Sequence, residues 1–115
     1  FVMFGTVSDS AEAARIAETL RRAVARMAVT DRADKSVEIT ASVGFAPLFG
    51  WRLPSGQYPW EPAMMVADQL LYRAKQAGRN RWMGLWPDSE NVRIAAHDVS
   101  AEVRAGRCEL LERAD

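Results

Sequence analysis

The chain has 115 residues, close to the commonest size of a single domain. It is 49% hydrophobic and 26% charged, which excludes intrinsic disorder, a collagen-like repeat and a disulfide scaffold. Fifteen basic and fifteen acidic residues cancel, so the chain has no overall field that attracts nucleic acid or anionic lipid. Any anion-binding site must therefore be local.

Cysteine content and hydropathy bear on the compartment. Cys108 is the only cysteine, so no disulfide can form within the chain, which fits a reducing environment. The longest apolar runs are far shorter than the roughly 18 residues that span a bilayer. We therefore expect a cytoplasmic segment without direct membrane contact, in a parent protein that upstream segments can still anchor to a membrane.

The chain is predicted to begin with a strand followed by a helix. Residues 1–7 are an apolar run of β-forming residues. Asp9 and Glu12 fit a capping box, which predicts the start of a helix. Apolar residues then recur at steps of three and four, so the helix is predicted to run to about residue 28.

A second strand and a long loop are predicted next. Apolar and polar residues alternate over residues 37–46, as in a strand, and Gly44 within it indicates a bulge or a close backbone approach. Prolines and glycines break every periodicity over residues 47–60, which predicts a loop. Its Trp51 and Trp60 either fold back over the sheet edge to cover the core, or form a surface for a partner or for self-association.

The rest of the chain is predicted to hold two helices and short strands. Pro62 suits the first turn of a helix, and Gly78 is well placed to end it. Asp98 is predicted to cap a short helix that Gly106 ends. This helix covers residues 99–105, and strands are predicted over residues 81–86, 92–96 and 107–111. The order of elements indicates a two-layer α+β or α/β domain.

Three stretches together resemble a known family. Residues 1–21 hold the apolar run and the helix ending in Ala-Glu-Thr-Leu-Arg, and residues 39–46 read ITASVGFA. Residues 67–81 read ADQLLYRAKQAGRNR, where Ala-Asp, Leu-Tyr, Ala-Lys and Gly-Arg-Asn follow in an order that unrelated helices rarely give. In order and approximate spacing they resemble the C-terminal half of the GGDEF family of diguanylate cyclases. The resemblance covers about residues 1–86, and residues 87–115 form a C-terminal extension.

The resemblance implies a fold. That fold is α+β, a ferredoxin-like, palm-type antiparallel sheet with helices packed on it, here as a partial GGDEF domain. In the family, the Phe of the Gly-Gly-Asp/Glu-Glu-Phe signature opens a strand, and Phe1 resembles that residue. We therefore expect the rest of the signature and an early central strand upstream of Phe1. Without that strand, we expect that the segment does not fold alone in the family topology.

The resemblance also implies a reaction. Members of the family condense two GTP molecules into cyclic di-GMP for bacterial second-messenger signalling, with two magnesium ions at each site and a homodimer for catalysis. The carboxylates that hold the metal are expected upstream of residue 1. We therefore expect no catalytic and no metal-binding residue in this segment, and no activity from the segment alone.

Lys75 and Arg79 match the family's Lys and Arg that contact the phosphates of GTP. Four residues apart at a helix end, they lie on the same side. Because the C-terminus of a helix is the wrong pole for a phosphate, cationic side chains must supply the attraction. The alternative is that both residues only complement the helix dipole.

Two other functions remain open at this point. One is a catalytically inactive GGDEF-like domain that serves as a GTP-binding or regulatory interaction module, and intact signature carboxylates upstream would favour the enzyme over it. The other is an arginine-rich nucleic-acid binder. Zero net charge and arginines spread over every predicted element argue against that binder, so we expect no nucleic-acid partner.

Overall fold

The computed structural model describes residues 1–27, 29–30 and 32–113. The described chain alternates helices with short strands. The helices are α1 (Ser10–Ala25), α2 (Trp60–Gln76) and α3 (Val99–Arg104), the last preceded by a short 3₁₀ helix (Ala96–Asp98). The strands are β1 (Val29–Thr30), β2 (Ser36–Val37), β3 (Val43–Phe45), β4 (Trp82–Pro87) and β5 (Cys108–Glu112).

The main sheet is three-stranded and mixed. Its order is β3-β4-β5, with β3 parallel to β4 and β4 antiparallel to β5. β1 and β2 form a separate antiparallel pair. The predicted α+β class is confirmed, although the sheet is not antiparallel throughout. The parallel pair follows from the connection, because α2 crosses over between β3 and β4 and returns the chain in the same direction.

Two helices pack on opposite faces of this sheet. Gly44 of β3 and Met83 of β4 are paired across the two strands, so both face the same side of the sheet. At Gly44 this side lies against α2. Side chains alternate along a strand, so Trp82 projects to the other face, where its indole N–H donates to Glu18 of α1. The sheet therefore lies between α1 and α2.

The core lies on the α2 side of the sheet. Apolar residues of α2 recur there at steps of three and four, which is why one stripe of the helix is buried. They pack against β4, β5, α3 and part of the long loop. The buried cluster consists of Trp51, Ala63, Val66, Leu70, Leu85, Ile94, Val99 and Cys108.

Gly44 lets α2 approach β3 closely. A Cβ atom at this position would lie 2.1 Å from the carbonyl oxygen of Ala67 and 2.5 Å from the amide nitrogen of Leu71. Both of those atoms belong to the helix backbone, so no side-chain rotation relieves the contact. The close backbone approach predicted at Gly44 is confirmed.

The first predicted strand is wrong, and two others are shorter than expected. Residues 1–7 have no regular secondary structure and are largely exposed. Within 37–46 only Val43–Phe45 belongs to the main sheet, and within 92–96 only Ile94 forms a bridge, to Trp51. A strand needs a partner for its backbone groups, and apolar alternation alone does not supply one. Among the described residues, none pairs with residues 1–7.

The helix boundaries agree closely with the sequence. Asp9 caps α1 by accepting from the amide of Glu12 at 2.8 Å, while the Glu12 carboxylate accepts from Ser8 and not from the Asp9 amide of a strict capping box. Asp98 caps α3 in the same way, by accepting from the amide of Ala101 at 3.2 Å. α1 ends at Ala25, earlier than predicted, and residue 28 lies outside the described residues.

The loop over residues 47–60 is held against the core at its middle. Trp51 is 4% exposed, and its indole N–H donates to the carbonyl of Pro47 at 2.7 Å. Ile94 donates to Gly50 at 2.7 Å through its backbone, which ties the loop to the chain beyond β4. Trp60 is 49% exposed. Trp51 therefore covers the core, whereas Trp60 remains available at the surface.

Candidate phosphate-binding turn

The turn that follows α2 closes the helix with a Schellman motif. The amide of Arg79 donates to the carbonyl of Ala74 at 3.1 Å, and the amide of Gly78 donates to the carbonyl of Lys75 at 3.3 Å. Gly78 has a φ of 126°, which side chains disfavour. The predicted end of the helix at Gly78 is therefore confirmed by its hydrogen bonds.

The two predicted phosphate contacts lie on either side of Gly78. Lys75 is in the last turn of α2, and Arg79 is the first residue after the glycine. Both residues are exposed, and in the part of the chain that the structure describes neither side chain pairs with a carboxylate. Lys75 also lies on an open surface of α2 that Asp68 and Tyr72 share. The turn thus presents two unneutralised cations to solvent, a chemistry suited to an anion.

The backbone of the turn continues in an uncommon conformation. Arg79 has a φ of 62° and Asn80 a φ of 48°, so two consecutive residues other than glycine are left-handed. Such residues persist where their surroundings hold them. Here the carbonyl of Arg79 accepts from the Arg81 side chain at 3.2 Å, and that of Asn80 accepts from Arg113 at 3.1 Å.

A buried arginine from α1 holds the Asn80 side chain. Arg21 is 6% exposed, and its Nη1 donates to Asn80 Oδ1 at 2.8 Å. Its Nε and Nη2 donate to the two carboxylate oxygens of Glu18 at 2.7 and 2.8 Å. Glu18 also accepts from Arg22 and from the Trp82 indole. This arrangement satisfies the buried guanidinium and links α1 to the turn after α2.

The hydrogen bonds to Glu18 change its acidity. The hydrogen bonds from Arg21 have the largest effect, and the hydrogen bond from Arg22 adds to it. Together they lower the pKa of the Glu18 carboxyl from its ordinary value of 4.5 to about 2, although burial acts in the opposite direction. Glu18 is therefore ionised throughout the physiological range. The carboxylate acts here as a partner for arginine rather than as an acid or base.

Sequence reasoning missed the roles of Glu18, Arg21 and Asn80. The spacing of Arg21 could have indicated its burial, because it lies four residues after the buried Ala17 and therefore on the inward side of α1. The Glu-x-x-Arg spacing also permits the pair within the helix. Its partner Asn80 lies 59 residues away, and no local pattern reveals that contact.

The two magnesium ions implied by the resemblance need clustered oxygen ligands. In the described ranges, no group of three or more His, Cys, Asp or Glu residues is placed to hold a metal ion. These residues therefore do not fit a magnesium site.

Across the same ranges, no helix is both long and apolar enough to cross a bilayer.

Comparison with known proteins identifies the family. No solved structure matches the chain significantly. The family model described as diguanylate cyclase, GGDEF domain, matches residues 1–81, which is most of the chain and includes the whole turn with Lys75 and Arg79. The order of elements and the α+β architecture agree with this match. The chain therefore belongs to the GGDEF family of diguanylate cyclase domains.

Proposed function

We propose that the chain is part of a diguanylate cyclase domain that condenses two GTP molecules into cyclic di-GMP for bacterial second-messenger signalling. In this proposal Lys75 and Arg79 contact the phosphates of GTP. We assign residues 1–86 to the GGDEF part and residues 87–115 to an extension, and place the domain in the cytoplasm.

One observation carries this proposal. Lys75 and Arg79 are exposed cations on a turn with a fixed backbone, and in the described part of the chain neither is neutralised by a carboxylate. Arg79 lies beyond the last turn of α2, where a helix dipole has little effect, so the dipole role does not account for a cation at this position. Family membership supports GTP as the ligand, since the cyclases of this family use it.

The reaction explains why two different cations are useful. The 3′-hydroxyl of each GTP loses its proton to water and its oxygen bonds to the α-phosphorus of the other GTP as the bond to the pyrophosphate oxygen breaks, and pyrophosphate leaves. Negative charge accumulates on that leaving group. Lys75 offers a compact point charge and Arg79 a forked set of donors, and together they offset this charge. Because two GTP molecules react with one another, we place one on each domain of a homodimer.

Binding of a slowly reacting GTP analogue tests the two residues. In the full-length protein, Lys75→Ala and Arg79→Ala should each weaken binding of the α-thio analogue of GTP by about tenfold, the lower end for a hydrogen bond between charged groups. GMP binding should change less, since it lacks the β- and γ-phosphates. Isothermal titration calorimetry measures both affinities.

The control is Arg104→Ala, because Arg104 is another exposed cation in the last turn of a helix. It should leave both affinities unchanged. Wild-type affinity in Lys75→Ala and Arg79→Ala would favour the dipole role and contradict the proposal. Tight analogue binding without formation of cyclic di-GMP would instead favour a GTP-binding regulatory module.

A further inference from the structure

The turn that carries Arg79 is fixed by side chains from outside α2. Arg21 of α1 donates to the Asn80 side chain, and Glu18 holds that guanidinium from the other side with two hydrogen bonds. All three charge-assisted contacts are 2.8 Å or shorter. The position of the guanidinium is therefore set by α1, and that of the Asn80 side chain by the guanidinium.

Asn80 transmits this constraint to Arg79 through the backbone. The two residues are consecutive and both left-handed, with φ of 48° and 62°. A change in the backbone of Asn80 turns the peptide that joins them, and with it the direction in which the Arg79 side chain leaves the chain. A left-handed backbone costs free energy at residues other than glycine, and it persists only where contacts from the surrounding structure offset that cost.

We propose that Arg21 is a positioning residue for nucleotide binding: by holding the Asn80 side chain, it aims Arg79 at the phosphates that Lys75 also contacts. This inference rests on the proposed function, because it requires that Arg79 binds phosphate. At 6% exposure, Arg21 is itself too deeply buried to bind a nucleoside triphosphate. Its effect is exerted through the turn.

Asn80→Gly separates positioning from folding. Glycine adopts the left-handed φ of 48° without strain, so the turn can form, but it has no side chain for Arg21 to hold. The Kd of the full-length protein for the α-thio analogue of GTP should rise about threefold to tenfold, and by no more than in Arg79→Ala, because the effect passes through Arg79. Arg21→Gln should raise the Kd by the same factor, when the Kd is calculated from the concentration of folded protein.

A double-mutant cycle with Arg79 shows whether the effect passes through that residue. In the Arg79→Ala background, Asn80→Gly should cause no further loss of affinity, because there is no guanidinium left to aim. The control is Arg107→Gln, which breaks another two-pronged arginine–glutamate pair, with Glu102. It should lower stability and leave the Kd unchanged.

The outcomes distinguish this inference from the proposed function. If Arg79→Ala itself binds the analogue as the wild type does, the proposed function is wrong and this inference falls with it. If Arg79→Ala weakens binding but Asn80→Gly and Arg21→Gln do not, only the positioning role is overturned. Losses of affinity that multiply in the double variant would also overturn it, because they would show a general structural effect.

Discussion

Arg113 donates from its guanidinium to the backbone carbonyl of Asn80 at 3.1 Å. This contact ties the chain just beyond β5 to the turn after α2. Arg113 lies outside the region that matches the family, residues 1–81. Its backbone amide also donates to the carbonyl of Trp82 at 3.1 Å, so Arg113 is anchored beside the turn at two points. A residue beyond the family match therefore supports the turn that carries the candidate site.

Removing the Arg113 side chain should loosen this support. We expect Arg113→Ala to lower the free energy of unfolding by about 1.5–3 kcal/mol, the range for a hydrogen bond with one charged partner. Urea denaturation followed by tryptophan fluorescence measures the change. Arg104→Ala removes an exposed arginine from α3 and should stay within about 0.5 kcal/mol of the wild type. Equal stabilities of the two variants would contradict the role given to Arg113.

Glu18 should make stability depend on pH in the acid range. The pKa of Glu18 is lowered from 4.5 to about 2 in the folded chain, so the unfolded chain binds this proton first as the pH falls. The contribution of Glu18 is therefore complete above pH 4.5 and is lost progressively between 4.5 and about 2. Glu18→Gln should lower stability at neutral pH by about 2–4 kcal/mol, because it leaves the buried Arg21 without an anion.

Urea denaturation at a series of pH values checks this prediction. The difference in stability between the wild type and Glu18→Gln should shrink as the pH falls from 4.5 towards 2. Thr19→Ala lies on the same helix and removes no titratable group, so its difference from the wild type should be constant. A constant difference for Glu18→Gln as well would show that the ion pair does not cause the pH dependence.

Gly44 should tolerate no side chain. We expect Gly44→Ala to destabilise the protein by about 3 kcal/mol or more, since the new methyl group meets the backbone of α2 and the whole helix must shift. The midpoint of urea unfolding measures the effect. At Gly5 a Cβ atom would meet nothing within 4 Å, so Gly5→Ala is the matched control and should be nearly neutral. A neutral Gly44→Ala would contradict the close packing of β3 and α2.

Trp51 of the loop and Trp60 at the start of α2 should respond differently to substitution. Trp51 is buried and bonded to Pro47, so Trp51→Ala should cost about 3–5 kcal/mol of stability. Trp60→Ala should cost less than about 1 kcal/mol, because half of the side chain already lies in solvent. Mass distribution by analytical ultracentrifugation decides whether Trp60 serves self-association. An unchanged mass distribution in Trp60→Ala would exclude a role of Trp60 in self-association. Equal losses of stability in Trp51→Ala and Trp60→Ala would contradict the burial of Trp51.

Local features of this fold were predictable from the sequence, and long-range ones were not. The caps at Asp9 and Asp98 and the stop at Gly78 depend on residues within one or two turns, and all three were predicted. Strand formation depends on a partner elsewhere, which is why residues 1–7 have the composition of a strand without its structure. Long segments of alternating residues likewise gave only short strands.

The candidate site shows the same division. Lys75 and Arg79 were predicted from a local motif, and the structure places Lys75 in the last turn of α2 and Arg79 in the exposed turn beyond it. Their support by Arg21 and Arg113 joins elements that are far apart in the chain. Arg21 ends one of the stretches that carry the family resemblance, but nothing in that stretch indicates Asn80 as its partner. Predicting such contacts requires the fold, because the pairs meet only after β5 has joined the sheet and α1 has packed against it.

The most direct test of the central claim is the rate at which the full-length protein forms cyclic di-GMP from GTP, quantified by liquid chromatography and mass spectrometry. The wild type should form the product. The double variant Lys75→Ala/Arg79→Ala should lose about a hundredfold in kcat/KM, from two lost contacts to charged phosphates. Product formation by the double variant at the wild-type rate would contradict the assignment of the turn, and absence of product from the folded, GTP-binding wild type would contradict the cyclase activity.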